Sequence, residues 1–182
     1  TSTLEEANRS IFYPSGCISF LPVEAIPALQ NNGVLDYAKI RVGYGTSAGY
    51  PSPYRTRNIL GASTNVFIGP DGTQLNTNSV SNVLGNPNLK PELHKEWELG
   101  LEAQFLDNRI GLDLSLYDKT SEDLIINLPL DPATGFTSTT TNGAVVSNKG
   151  IEAALNLTPV RGQIEWNMTL NYTKNKPVVE EI

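Results

Sequence analysis

The sequence predicts an all-β chain, an antiparallel transmembrane β-barrel segment of about six strands with long loops at one end. Three observations predict it. Apolar residues recur at every second position over runs longer than the strands of a compact soluble domain. The connections between those runs alternate between short turns and long polar stretches. No part of the 182 residues approaches the ~18 consecutive apolar residues of a spanning helix, a test a barrel wall escapes because only alternate residues face lipid.

The chain opens with Thr1 and has no charged stretch followed by an apolar one, so both ends read as arbitrary and a fragment of a longer protein is expected. Thr3 ahead of Glu5 and Glu6 suggests a capped turn over 3–7. Residues 22–30 suggest a helix of a turn or two, because Pro27 stops anything longer. Phe12, Ile18 and Phe20 share one parity, interrupted by Pro14 and Gly16. Ala38, Ile40, Val42 and Tyr44 then alternate with Lys39, Arg41, Gly43 and Gly45, which predicts a half-buried strand. Residues 46–91 read as a long loop, rich in Pro, Gly, Asn, Ser and Thr, with a small hairpin at Asp71-Gly72.

The clearest strand covers 93–105. Leu93, Lys95, Trp97, Leu99, Leu101, Ala103 and Phe105 alternate with His94, Glu96, Glu98, Gly100, Glu102 and Gln104. Asp107-Asn108-Arg109 supplies residues that tolerate a left-handed backbone, and Ile110, Leu112, Leu114 and Leu116 resume the pattern, so a hairpin is predicted. Residues 120–148 read as a second long loop, although 124–130 is apolar enough to extend the strand. A second hairpin follows. Ile151, Ala153, Leu155 and Leu157 lead to a turn at Arg161-Gly162, and Ile164, Trp166, Met168, Leu170 and Tyr172 return.

Composition narrows the function. The net charge is −6 and no basic stripe with interleaved aromatics occurs, which argues against a nucleic-acid partner. A lone Cys17 and a lone His94 exclude an internal disulfide and a histidine metal cluster, and no metal or cofactor is expected. Glu96, Glu98, Glu102, Asp113, Glu152 and Glu165 fall on the polar parity, where they are candidates to line a watery lumen. Regular alternation accounts for all of them, so paired carboxylates give no argument for an enzyme. Tyr50, Tyr54, Phe67 and Phe136 are loop aromatics, candidates to contact a solute or a partner, though packing within the loops explains them too. Trp97 and Trp166 fall on the apolar parity near opposite strand ends, as in an interfacial girdle. Asn-x-Thr sequences at Asn156, Asn167 and Asn171 lie inside strands, where glycosylation is implausible. From pattern alone a soluble all-β module, such as a carbohydrate-binding sandwich, stays open.

One stretch is more specific. Asn86 to Glu92 (NPNLKPE), then Glu98 to Leu101, the turn from Phe105 to Arg109 and Tyr117 to Leu124 resemble, in that order and spacing, the barrel of TonB-dependent outer-membrane receptors. Phe12-Tyr13-Pro14-Ser15, Lys39 to Gly45, Tyr117-Asp118-Lys119-Thr120, Pro129, Gly135-Phe136, Asn142-Gly143 and Asn148 to Glu152 resemble its SusC-like (RagA-like) branch. Pro91 departs from the Lys-Trp-Glu often found in that branch and leaves a siderophore-type receptor open. The resemblance implies a bacterial outer-membrane barrel of about 22 strands around a plug. It implies import of a nutrient such as an oligosaccharide or peptide, coupling to TonB through the plug, and a SusD-like surface lipoprotein as partner. It places 1–182 within the barrel domain, makes 46–91 and 120–148 extracellular loops, and leaves the plug outside this sequence.

Overall fold

A computed structural model describes residues 3–30 and 33–182; Thr1, on which the reading of the chain's start rests, lies outside them. The strands are β1 (Gly16–Phe20), β2 (Leu35–Gly49), β3 (Leu60–Ile68), β4 (Gln74–Val80), β5 (Val83–Leu84), β6 (Glu92–Phe105), β7 (Ile110–Pro129), β8 (Ser138–Val160) and β9 (Trp166–Glu181). A seven-stranded sheet runs in the order β1-β2-β6-β7-β8, with β9 on β8 and the two-residue β5 alongside it. Its long neighbours are all antiparallel, and β5 joins β8 in parallel. Among the described residues β1 and β9 are open edges, so the sheet is a sector of a larger wall and not a closed barrel. β3 and β4 form a separate hairpin.

The strands form where the alternation predicts them, and the register shows why. Phe20, Ile40, Leu101, Leu114, Ala153 and Tyr172 stand on one rung across the sheet. The next rung carries Ile18, Val42, Leu99, Leu116 and Ile151. Apolar parity meets apolar parity on every strand because a slip of one residue would turn a whole strand's apolar set to the opposite face. The turn between β6 and β7 has Leu106, Asp107 and Asn108 all at positive φ, and the Asn108 amide donates to the Asp36 carboxylate at 3.0 Å. At the β3–β4 turn Gly72 takes a φ of 79°, and Asp71 Oδ1 accepts from the Thr73 hydroxyl at 2.6 Å and its amide at 3.1 Å.

Several expectations need correction. Residues 120–148 are mostly strand: β7 continues to Pro129, β8 begins at Ser138, and the connection shrinks to 130–137. Thr-rich sequence favours the extended backbone even where no face is apolar, and Thr140 donates to Asn127 across the pair at 3.1 Å. The loop 46–91 likewise starts later, since β2 runs on to Gly49, and it holds the β3–β4 hairpin. Ile164 and Glu165 lie in the turn before β9 rather than in the strand. The first turn is a 3-10 helix at Glu6–Asn8 whose N-cap position is Glu5 rather than Thr3, and Glu5 makes no side-chain cap bond there. Residues 22–30 do form short helical pieces, α1 (Pro22–Ala25) and a 3-10 turn at Pro27–Leu29.

The best-buried side chains do not lie in the sheet. Leu4 and Leu89 are 2% and 0% exposed, and both belong to the segments at the long-loop end. There the NPNLKPE stretch acts as a staple. Asn86 Nδ2 donates to the Thr140 carbonyl at 2.9 Å, and the Lys90 amide donates to Asn142 Oδ1 at 2.8 Å. Asn142 Nδ2 returns to the carbonyls of Lys90 and Asp123 at 2.9 and 2.8 Å. Asn8 donates to the Leu89 carbonyl at 3.1 Å, and the Ile125 amide to Glu92 at 2.8 Å. Polar loop backbone is thereby satisfied by side chains instead of a ladder. Glu5 and Arg57 close the same end with two hydrogen bonds of 2.7 Å. That contact lowers the Glu5 carboxyl from 4.5 to about 2 and raises the Arg57 guanidinium.

Candidate functional site

The candidate site is the wall itself, with two unlike faces. On the apolar face Ile18, Trp97, Leu99, Leu170 and Tyr172 are 46–77% exposed, which is the wrong solvent arrangement for water and the right one for lipid. On β6 the apolar run spans Trp97 to Phe105, roughly 27 Å along the strand at about 3.4 Å per residue. Trp97 packs on Tyr44, ring centroids 4.6 Å apart, at the upper margin of the band. Trp166 stands at its lower margin, where β9 leaves the short turn.

The upper margin is a staircase. The first outward polar residue is Thr46 on β2, Lys95 on β6, Asp118 on β7, Lys149 on β8 and Lys174 on β9. Thr46 and Lys95 share a rung, Asp118 and Lys149 share one two residues lower, and Lys174 lies two residues lower again. The margin therefore drops four residues over four strand-to-strand steps. One residue of about 3.4 Å per strand spacing of about 4.8 Å corresponds to a strand tilt of roughly 35°. That is the tilt and stagger a closing barrel requires. With it, the β6 run rises about 22 Å along the membrane normal, close to the apolar band of about 25 Å in outer-membrane barrels. No helix among the described residues is long and apolar enough to cross a membrane.

The polar face holds the predicted carboxylates together, with one exception. Glu96, Glu98, Glu102, Asp113 and Glu152 share it with Lys39, Arg41 and Lys119. Glu165 is apart from them, in the turn, where Asn167 donates to it at 3.0 Å. Arg41 is the hub. It lies across Gly100, where any side chain would collide with the guanidinium. It donates to Glu102 and, at 3.0 Å, to the Ser115 hydroxyl; Glu98 and Asp113 oxygens each stand at 3.5 Å. Lys39 adds an ion pair with Glu102 at 3.6 Å. Tyr117 lies across Gly150 in the same manner. Lower down, Thr169 donates to Asn156 at 2.8 Å and Thr158 to Asn167 at 2.8 Å, so the Asn-x-Thr sequences form a cross-strand polar ladder. A concavity of about 560 Å³ opens on this face over Gly16, Gly43 and Gly45, walled by His94, Glu96, Glu98 and Lys119. Cys17 lines it and is exposed.

The loop aromatics lie on separate segments. Tyr50 follows β2, Tyr54 sits in a turn at φ 65° and is 70% exposed, Phe67 lies on β3 and is 62% exposed, and Phe136 is in the 130–137 connection. Among the described residues no three metal-ligating side chains come together.

A tilted sheet with a lipid-facing apolar band, a charged inner face and its longest connection, 50–91, at one end defines the wall of an outer-membrane β-barrel. The chain belongs to the family described as TonB dependent receptor-like, beta-barrel, which matches residues 4–179. Two TonB-dependent receptors of Formosa agariphila are each 31% identical to it, over 178 and 179 residues, or 97% of this chain. The TonB-dependent receptor SusC of Bacteroides thetaiotaomicron is 32% identical over half of it. A structure of the RagAB peptide transporter superposes over the whole chain with a TM-score of 0.83 at 21% identity. The siderophore receptor PirA of Pseudomonas aeruginosa covers 88% of it with a TM-score of 0.50 at 19% identity. The SusC-like branch is thus the nearer in fold. The chain spans less than a fifth of the two Formosa receptors, 18% and 17% of their lengths, and 19% of the RagAB chain. The family is one of receptors and transporters of the outer membrane.

Proposed function

We propose that this chain is a sector of the wall of a transporter that imports a nutrient, an oligosaccharide or a peptide, across the outer membrane. The observation that carries the reading is the two-faced, tilted wall: a lipid band outside and a hydrated, charged face inside, which is what a solute path through a barrel needs. The 50–91 and 130–137 connections lie at one end, and the turns 106–109 and 161–165 lie at the other with 21–34, which joins β1 to β2; the much greater length of 50–91 favours an orientation with the staple outside the cell. In this reading Glu96, Glu98, Glu102, Asp113 and Glu152 hydrate the lumen, and Arg41 keeps three of them from repelling one another. Tyr54 and Phe67 are the loop aromatics most available to a solute or a lid. Energy enters through TonB by way of a plug elsewhere in the protein, and a surface lipoprotein covers the loop end. The inner wall is scaffold and performs no catalysis.

The test is uptake. A strain lacking the full-length gene is complemented with it and grown on oligopeptides or on oligosaccharides as sole source, with and without TonB. Growth on one of them that requires both the gene and TonB supports the proposal. Equal growth without either on every source tried refutes it.

A further inference from the structure

Asn142 serves the staple with every polar atom of its side chain. Its Oδ1 accepts from the Lys90 amide at 2.8 Å, and its Nδ2 donates to the Lys90 and Asp123 carbonyls at 2.9 and 2.8 Å. One amide partner and two carbonyl partners leave the side chain a single orientation. The residue that follows is Gly143. Asparagine is thermolabile, and an Asn-Gly step loses its amide most readily, because glycine puts no side chain in the path of its own nitrogen. The ladder does not shield that nitrogen. The β7–β8 register runs from Leu124↔Ala144 to Ile125↔Asn142 and passes over Gly143. Gly143 is thus a bulge residue without a partner on β7. Asn142 itself is only half-buried, so water reaches it. What keeps its side chain away from the Gly143 nitrogen is the staple.

We propose that Asn142 is a deamidation site guarded by the staple, and that its conversion releases the staple for good. When the loop end opens, the Gly143 nitrogen attacks Asn142 Cγ. The new N–C bond forms as the Cγ–Nδ2 bond breaks, and Nδ2 leaves as ammonia with the proton of the Gly143 amide. Water then opens the cyclic imide. Attack at Cγ gives aspartate; attack at the main-chain carbonyl carbon gives isoaspartate, with one extra methylene in the β8 backbone. Nothing is oxidised or reduced. In the aspartate product a carboxylate, which only accepts hydrogen bonds, faces the Lys90 and Asp123 carbonyls, which also only accept. Two hydrogen bonds become two repulsions. The isoaspartate product adds length at Asn142↔Ile125 and breaks the register there. Opening is reversible until Asn142 reacts, and afterwards the loop end cannot close as before.

The full-length protein in membranes is aged in mildly alkaline buffer, and the peptide holding Asn142 is followed by mass spectrometry for the amide-to-acid mass gain and for isoaspartate. Asn32-Gly33, a second Asn-Gly step in the sequence, is the reference. A reaction that runs through the open loop end follows the population of that state. Leu89→Ala, which opens the staple without touching Asn142, should therefore speed deamidation at Asn142 by about 30-fold and leave Asn32 unchanged. Gly143→Ala in the Leu89→Ala background should slow it several-fold; the added Cβ meets only the tip of Ile126, at 3.2 Å, so the fold tolerates it. Asn142→Asp, the product made directly, should speed trypsin cleavage at Arg55 and Arg57 roughly tenfold in otherwise wild-type protein. An acceleration at Asn142 below about threefold in Leu89→Ala, or one matched at Asn32, overturns the guarding role. Unchanged cleavage in Asn142→Asp overturns the release.

Discussion

Replacing Leu89 by Ala tests the staple at its most buried point. Leu89 is fully enclosed, 0% exposed, in a segment that otherwise contains polar residues and prolines. Truncating a buried Leu to Ala costs about 2–5 kcal/mol, the larger values where the site does not collapse. Here collapse is resisted, because the backbone on either side is pinned by Asn8 at the Leu89 carbonyl and by the reciprocal Lys90–Asn142 pair. The loss should fall on the loop assembly and not on the lipid band, since none of the sheet's apolar rungs includes Leu89. The assay is trypsin cleavage at Arg55 and Arg57 in the full-length protein in membranes. When reclosing is faster than cleavage, the rate follows the population of the open loop. At the low end, about 2 kcal/mol, cleavage should accelerate roughly 30-fold, with heat-modifiable migration of the barrel unchanged. An acceleration below about threefold would refute the claim that Leu89 holds this end together.

Other outcomes follow from the inner face and the loop end. Arg41→Leu leaves Glu98, Glu102 and Asp113 without their shared cation and should lower unfolding stability by about 2 kcal/mol, read as a shift in the urea midpoint in lipid vesicles; Arg41→Lys should recover only part, for lack of the planar fork. Gly150→Val places methyl groups where the Tyr117 ring lies and should cost about 1–3 kcal/mol in the same assay, a loss that adding Tyr117→Ala should partly reverse. The Glu5–Arg57 contact has a defined pH window. A carboxyl lowered to about 2 from 4.5 contributes stability that is complete above 4.5 and is lost as pH falls toward about 2. Pepsin cleavage near Arg57 should therefore rise steeply across that interval in the wild type and lose that steepness in Glu5→Gln.

Much of the wall was legible because its physics is periodic. Trp97 through Phe105 and Ile110 through Leu116 declare a face at every second residue, and the register then pairs those faces without exception. The Asp71-Gly72 and Asp107-Asn108 turns were legible from residues that accept a positive φ. Strand extent above the band was not. Beyond Asp118 and Lys149 both faces meet water, so the hydropathy alternation disappears while β7 and β8 continue to Pro129 and from Ser138. The Thr-rich run 137–141 carried the remaining signal, as β-propensity rather than period. The staple was hidden differently. NPNLKPE stood out as a family resemblance, yet its partners Asn8, Asn142 and Asp123 are remote in sequence and only the fold joins them. Arg41 as the hub of three carboxylates depends on register across β2, β6 and β7, which composition does not encode.

The central claim is that the apolar parity faces lipid and the other parity faces water. Single cysteines placed along β7 in a Cys17→Ser background, in the full-length protein in vesicles, would carry a fluorescent label exposed in turn to a lipid-confined and a water-soluble quencher. The account predicts lipid quenching at Leu112, Leu114 and Leu116 and aqueous quenching at Gly111, Asp113 and Ser115, alternating residue by residue. Equal quenching on both parities, or the reverse alternation, would contradict it.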